Sequence, residues 1–238
     1  GRMKPAEIGR LLAATGYIAD DELSTLVWMG LTIDRPLLLE GEAGVGKTAI
    51  AQSVATALKR PLFRLQCHES LDLNQAVYEW NYSRQLLEIR LREAEQKGLA
   101  SLRNDLFSQE FLLQRPLMQA ITSEHPAVLL IDEIDRADEA FEAYLLETLG
   151  EYQISVPELG TIRATTHPFV VLTSNGTRDL SDALRRRCLY HYMDYPSQPR
   201  EIEIVKALVP EANLELVQQA VGFVQKLRKQ DLEKTPGI

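Results

Sequence analysis

One unbroken passage, Leu37 to Leu58, restricts the fold of this chain more than any other feature. An apolar triplet, Leu37-Leu38-Leu39, runs into Gly41-Glu42-Ala43-Gly44-Val45-Gly46-Lys47-Thr48. Ala49 then opens a stretch with Ile50, Val54 and Leu58 at intervals of four. A short all-apolar run fits a strand buried on both faces, and a four-residue interval marks one face of a helix. Strand, glycine-rich loop and amphipathic helix together predict an α/β domain whose parallel sheet is covered by helices.

The remaining pattern extends that unit. Apolar runs recur at Leu62 to Leu65, Val128 to Ile131 and Phe169 to Leu172, with a weaker one at Leu189 to Met193. A helix is predicted after Asp138, with Phe141, Leu145 and Leu149 on one face. Residues 70–115 read as a long helical insertion that includes the charged stretch Arg84 to Gln96. Tyr152, Ile154 and Val156 alternate with polar residues, turn at Glu158-Leu159-Gly160 and return through Thr161-Ile162-Arg163, the pattern of a β-hairpin. Beyond Pro196 and Pro199 the pattern is wholly helical, over 200–208 and 213–229. The expected organisation is a nucleotide-binding core over 1–196 and the N-terminal part of a helical lid over 197–238.

Composition narrows the function classes. A net charge of −8 argues against broad attraction to nucleic acid. No apolar run approaches a membrane span, and no signal segment is recognised, so a cytoplasmic protein without an integral membrane segment is expected. Two cysteines are too few for a disulfide framework. Cys67-His68 and Cys188-x-x-His191 suggest a metal set, but they fall on different predicted strands, and one buried thiol per strand needs no metal.

Residues 41–48 match G-x-x-x-x-G-K-[ST], the loop that cradles phosphates. Its glycines let backbone N–H groups turn inward, and the following helix adds partial positive charge at the same point. Lys47 is placed to reach the β- and γ-phosphates of ATP, and the Thr48 hydroxyl to coordinate Mg²⁺. The apolar run ending in Asp132-Glu133 puts two acids at the carboxyl end of a parallel strand, where α/β sheets bind ligands. Asp132 there accepts from metal-bound water, and Glu133 faces differently and activates the attacking water. Asn175, after the next strand, is either a turn residue before Gly176 or an amide directed at the γ-phosphate. Arg185-Arg186-Arg187 is either a solvated charged face or a source of arginines for a neighbouring site.

Together the phosphate loop, Asp132-Glu133, Asn175 and Arg187 resemble the AAA+ ATPases. The insertion and the hairpin resemble the helix-2 insert and pre-sensor hairpin of the branch that includes the MoxR-type chaperones. Finer phrases, among them Tyr78-Glu79-Trp80-Asn81-Tyr82 and Ser181 to Tyr192, are similar to the CoxD-type subgroup associated with maturation of carbon monoxide dehydrogenase. The resemblance implies a five-stranded parallel sheet in the order 5-1-4-3-2, Asn175 as sensor 1, Arg187 as an arginine finger with Arg186 beside it, and Tyr17 and Ile18 near the adenine. It also implies a homo-oligomeric ring of six subunits that remodels a protein client, with a von Willebrand A domain protein as a possible partner. Client contact is expected at Tyr152 to Ala164 and around Trp80, although Trp80 and Tyr82 equally suit core packing. The family continues past Thr235-Pro236-Gly237-Ile238 into the sensor-2 part of the lid. Two other readings stand beside this one. A monomeric P-loop kinase would avoid a water-activating acid such as Glu133, and a DNA-linked motor sits poorly with the net charge. A GTPase lacks its Asn-Lys-x-Asp motif here.

Overall fold

The computed structural model describes residues 3–69, 71–72, 76–96, 101–195, 197–208 and 214–234. Pro196, the expected lid boundary, and the closing residues 235–238 lie outside that set, as do parts of the insertion. The chain opens with helices α1 (Pro5–Ala14) and α2 (Asp21–Ile33). Asp20 caps α2 by accepting from the Leu23 N–H at 2.8 Å, satisfying a donor the helix itself cannot. Strand β1 (Leu37–Glu40), helix α3 (Ala49–Ala57) and strand β2 (Leu62–Gln66) follow as the predicted unit.

The insertion is not wholly helical. It contains α4 (Tyr82–Ala94) and α5 (Leu102–Leu106), but a short antiparallel pair, β3 (Tyr78–Trp80) with β4 (Leu112–Gln114), closes its base. After it come α6 (Pro116–Thr122), β5 (Val128–Asp132) and α7 (Glu139–Glu151). Asp138 caps α7 through the Phe141 N–H at 2.8 Å. The hairpin forms as read, from β6 (Gln153–Val156) and β7 (Gly160–Arg163). Then β8 (Phe169–Ser174), α8 (Asp182–Arg187) and β9 (Leu189–Tyr192) complete the core. Helices α9 (Gln198–Leu208) and α10 (Leu214–Lys234) pack on each other.

The main sheet is fully parallel in the order β2-β5-β8-β1-β9. Numbering only its own five strands and reading from the other edge gives 5-1-4-3-2. The strands of the insertion and hairpin shift the chain-wide count without entering the sheet.

Alternate residues of β1, β5 and β8 feed two separate cores, as the two-residue period of a strand requires. Leu37, Leu39, Val128 and Leu130 pack with Ile8, Leu12, Val27 and Ile50 of α1–α3. Leu38, Leu129 and Ile131 pack on the opposite face with Leu117, Phe141 and the insertion and hairpin. Truncating a leucine such as Leu38, which is fully buried, should cost about 2–5 kcal/mol. The hairpin and Trp80 belong to this second core. Ile154 and Val156 are each 1% exposed, and Trp80 packs edge-on against Phe107 with ring centroids 5.0 Å apart. The apolar side chains of β6 and Trp80 therefore face inward, as the core-packing alternative for Trp80 expects. Tyr82 is exposed. Among the described residues no helix is long and apolar enough to cross a membrane.

Candidate nucleotide site

The glycine-rich loop leaves β1 at the carboxyl end of the sheet. The Gly41 N–H donates to the Ser174 carbonyl at 3.1 Å, tying the loop to β8. A Cβ at Gly41 would lie 2.3 Å from the Met193 carbonyl oxygen, so only glycine fits that crossing. Gly46 has φ of +96°, a conformation that L side chains resist. Lys47 is buried, and its ammonium donates to the carbonyls of Gly41 and Glu42, both at 2.8 Å. Burial pushes the Lys47 pKa down, while the charges of Asp132, Asp135, Glu133 and Glu42 act against that shift. Thr48 stands at the start of α3 with its hydroxyl making no cap bond, which leaves it available to a ligand.

A cavity of about 800 Å³ opens beside the loop. Tyr17, Ile18, Val45, Gly46 and Ala49 line it, with Ile204 of α9 opposite. The structure thus brings the two residues expected near the adenine to the same space as the phosphate loop. Tyr195, which the sequence did not single out, donates its hydroxyl to the Ala43 carbonyl at 3.0 Å. The Arg228 guanidinium of α10 lies over the Tyr195 ring at 4.5 Å, so the final helix reaches the loop through one aromatic side chain.

The acid pair ends β5. Asp132 is 5% exposed and is held from two sides, by Arg64 Nη2 and by the Thr173 hydroxyl, each at 2.5 Å. That hydroxyl also accepts from the Glu133 N–H at 2.9 Å. Glu133 has φ of +56°, a left-handed conformation uncommon outside glycine. Gln66 Nε2 donates to its carboxylate at 2.9 Å, and Arg136 pairs with the same oxygen at 3.3 Å. Arg64, Gln66 and Thr173 are functional neighbours that motif reading missed. A signal existed, because Arg64 and Gln66 flank Leu65 at the period that puts them on one face of β2.

Asn175 follows β8 and is half-buried in a second cleft, lined also by Glu69, Asp135 and Arg178. The arginine run lies elsewhere. The Arg185 and Arg186 side chains are exposed. Arg187 instead turns onto the end of α7, donating to the carbonyls of Leu149 at 2.9 Å and Gly150 at 3.1 Å. Arg35 in turn donates to the Arg187 carbonyl at 3.1 Å and the Arg186 carbonyl at 2.5 Å. Among the described residues no group of three or more His, Cys, Asp or Glu is arranged to hold a metal. Cys67 and Cys188 adjoin opposite edge strands, and burial pushes both thiols up to about 12.

The AAA domain family, dynein-related subfamily, matches residues 36–188, from the start of β1 to the end of α8. That is well over half of the chain, and the chain belongs to this family. It is 27% identical over 217 residues to the gas vesicle ATPase GvpN of Haloferax mediterranei, a match covering 87% of this chain and 60% of GvpN. It is 27% identical over 211 residues to protein NorQ of Paracoccus denitrificans, covering 84% of this chain and 68% of NorQ. The chain spans about 60% of the length of the gas vesicle relatives it matches. Among solved structures, a protein from Cytophaga hutchinsonii assigned as an ATPase superposes with a TM-score of 0.59 at 18% identity, covering 88% of this chain and 58% of that one. That likeness concerns the fold alone.

Proposed function

We propose that this chain binds and hydrolyses ATP and couples the cycle to remodelling of a protein client. The observation that carries the reading is the position of Lys47, buried in the glycine-rich loop within the field of Asp132 and Glu133. In this reading the Lys47 ammonium exchanges its two loop carbonyls for phosphate oxygens, a charge-assisted contact. The N–H groups of residues 43–49 face the same phosphates, and Tyr17 and Ile18 enclose the base. The donor set suits Mg²⁺, with Thr48 as a direct ligand and Asp132 reached through water; when bound, the metal supplies neutralisation of phosphate charge. Glu133 takes the proton of the attacking water, and Asn175 orients that water or the γ-phosphate. Arg187, with Arg186 beside it, acts on the nucleotide of an adjoining subunit in a ring of six.

The finer client reading rests on the CoxD-type phrases. It names a metalloenzyme such as a molybdenum-containing carbon monoxide dehydrogenase, with a von Willebrand A domain protein as accessory and the cytoplasm as location. The kinase reading sits poorly with Glu133, which three separate contacts orient at the acid pair.

The test pairs two substitutions. Lys47→Ala should weaken fluorescent-ATP binding roughly 100-fold, the value of a lost charged hydrogen bond at the upper end of its range. Glu133→Gln should bind within about threefold of the parent and release phosphate at least about 100 times more slowly, the scale of a lost general base. Phosphate release at the parent rate by Glu133→Gln would remove that residue from the mechanism, and release only with an added acceptor would favour a kinase.

A further inference from the structure

Arg178 follows Asn175 by three residues and was not among the expected site residues. Its guanidinium uses all of its donors. Nε donates to the Asp135 carbonyl at 2.9 Å. Nη2 donates to the carbonyls of Ala137 at 2.6 Å and Ile134 at 3.4 Å. Nη1 donates to Glu142 Oε2 at 2.5 Å and to the Asp179 carbonyl at 3.2 Å. The three carbonyls from 134 to 137 belong to the turn that begins at Glu133. Thr177 grips the same turn, donating to Asp135 Oδ2 from its N–H at 3.1 Å and from its hydroxyl at 2.6 Å.

The second end of the connection is Glu142, whose side chain is 2% exposed. Its other oxygen accepts from the Ser181 N–H at 3.0 Å, and Ser181 caps α8 through the Leu184 N–H. At its far end α8 is fixed to the same helix, by Arg187 on Leu149 and Gly150. The spacing agrees. At 1.5 Å per residue, Glu142 to Leu149 spans about 10 Å of α7, and Ser181 to Arg187 about 9 Å of α8. Helix α8 therefore rides on α7, tied at both ends, and α7 is tied to the acidic turn.

We propose that Arg178 is a positioning residue that joins the Glu133 turn to the helix carrying Arg185 to Arg187, so that the water-activating acid and the arginine run move as one body. The kinetic consequence rests on the ATP-hydrolysis reading; the mechanical one does not. A five-donor fan of this kind, closed on a buried carboxylate, is specific to arginine. Lysine can keep the charge opposite Glu142, but an ammonium has three donors and no plane.

The experiment compares the full chain with Arg178→Ala, Arg178→Lys and Glu142→Gln. Hydrogen exchange without nucleotide is read in peptides covering 134–137 and 182–188, with α3 as control. Arg178→Ala should speed exchange in both segments together and leave α3 unchanged. Arg178→Lys should open the acidic turn while α8 stays protected through Glu142, and Glu142→Gln should do the reverse. Should Arg178→Ala fail to fold, the other two variants decide the question. Faster exchange confined to 176–180, or a lysine variant indistinguishable from the parent, would overturn the proposal. In turnover assays, Arg178→Lys should hold ATP affinity within about twofold and lose at least about tenfold in kcat. An equal loss in both would also overturn it, because that is the mark of general damage. If the parent itself releases no phosphate, the proposed function fails and the exchange result still judges the coupling.

Discussion

The phosphate loop and the acid–arginine side of the site are built by opposite means. Lys47 finds its partners five and six residues away, within its own loop. Asp132 meets Arg64 across 68 residues, Glu133 meets Gln66 across 67, and Arg187 meets Leu149 across 38. The first arrangement needs little more than β1 and the start of α3. The second exists only once β2, β5 and β8 have paired in register, because β2 supplies Arg64 and Gln66 and β8 supplies Thr173 to the acids. Binding chemistry is thus locally encoded, whereas the groups proposed for hydrolysis depend on assembly of the whole sheet.

The largest expected effect challenges that contrast at its weakest point. Although the partners of Lys47 are local, Gly41 is crossed closely by Met193, just beyond β9. A Cβ there meets backbone, which cannot rotate aside. Gly41→Ala should lower stability by about 1–3 kcal/mol, as overpacking does, and should abolish measurable ATP binding. Thermal unfolding alongside nucleotide titration checks both. A variant that melts and binds like the parent would mean that β9 and the loop are not in contact.

Arg64→Leu probes the other region. Asp132 would remain buried while losing the guanidinium it pairs with on β2. Removing one member of a buried pair costs several kcal/mol, but Arg64 is half exposed, so about 1–2 kcal/mol is expected without nucleotide. Mg²⁺ with ATP should restore part of the loss, since a ligand that binds only the folded form stabilises it. Equal melting with and without Arg64 would show that the ion pair contributes nothing to holding Asp132.

The same contrast explains what could be read in advance. The five core strands, the loop and the helix after Asp138 were legible because each is a short-range pattern. The hairpin was legible too, but not that Ile154 and Val156 pack into the core. Periodicity says which residues share a face and is silent about which way that face points. Arg64, Thr173 and Arg178 escaped notice for a related reason. Each acts on a residue brought near by sheet pairing or helix docking, and a single polar residue carries no mark of its distant partner. Tyr195 on the Ala43 carbonyl is the same case.

A smaller effect separates the neighbouring arginines. Arg187 caps the last carbonyls of α7, a favourable contact for a cation at a helix end. Arg187→Ala should lower stability by about 1 kcal/mol, whereas exposed Arg186→Ala should stay within about 0.5 kcal/mol of the parent. Chemical denaturation of the two variants measures the difference directly. Equal stabilities would mean that the Arg187 side chain leaves α7 in solution.

The smallest effect concerns the two thiols, which burial shifts alike and neighbours shift in opposite directions. Each has an ordinary value of 9.0 and is pushed up to about 12, first by desolvation. Around Cys67 the charges of Asp132, Asp135 and Glu133 push further up, whereas Arg35 and Arg187 pull Cys188 back down. An acid raised in the fold stays neutral there while the unfolded chain ionises. Its contribution to stability is therefore complete below pH 9 and is lost as pH rises from 9 toward 12. Since the thiolate is the nucleophile, alkylation of both thiols in the folded protein at pH 8 should be slow and become fast in denaturant. Mass spectrometry of each cysteine peptide across pH then resolves the neighbours. Glu133→Gln should move the Cys67 profile slightly toward lower pH, and Arg187→Ala should move the Cys188 profile slightly higher. Native labelling at the denatured rate would show that the two edge strands open freely, and the acid side of the site would then be no more dependent on sheet assembly than the loop.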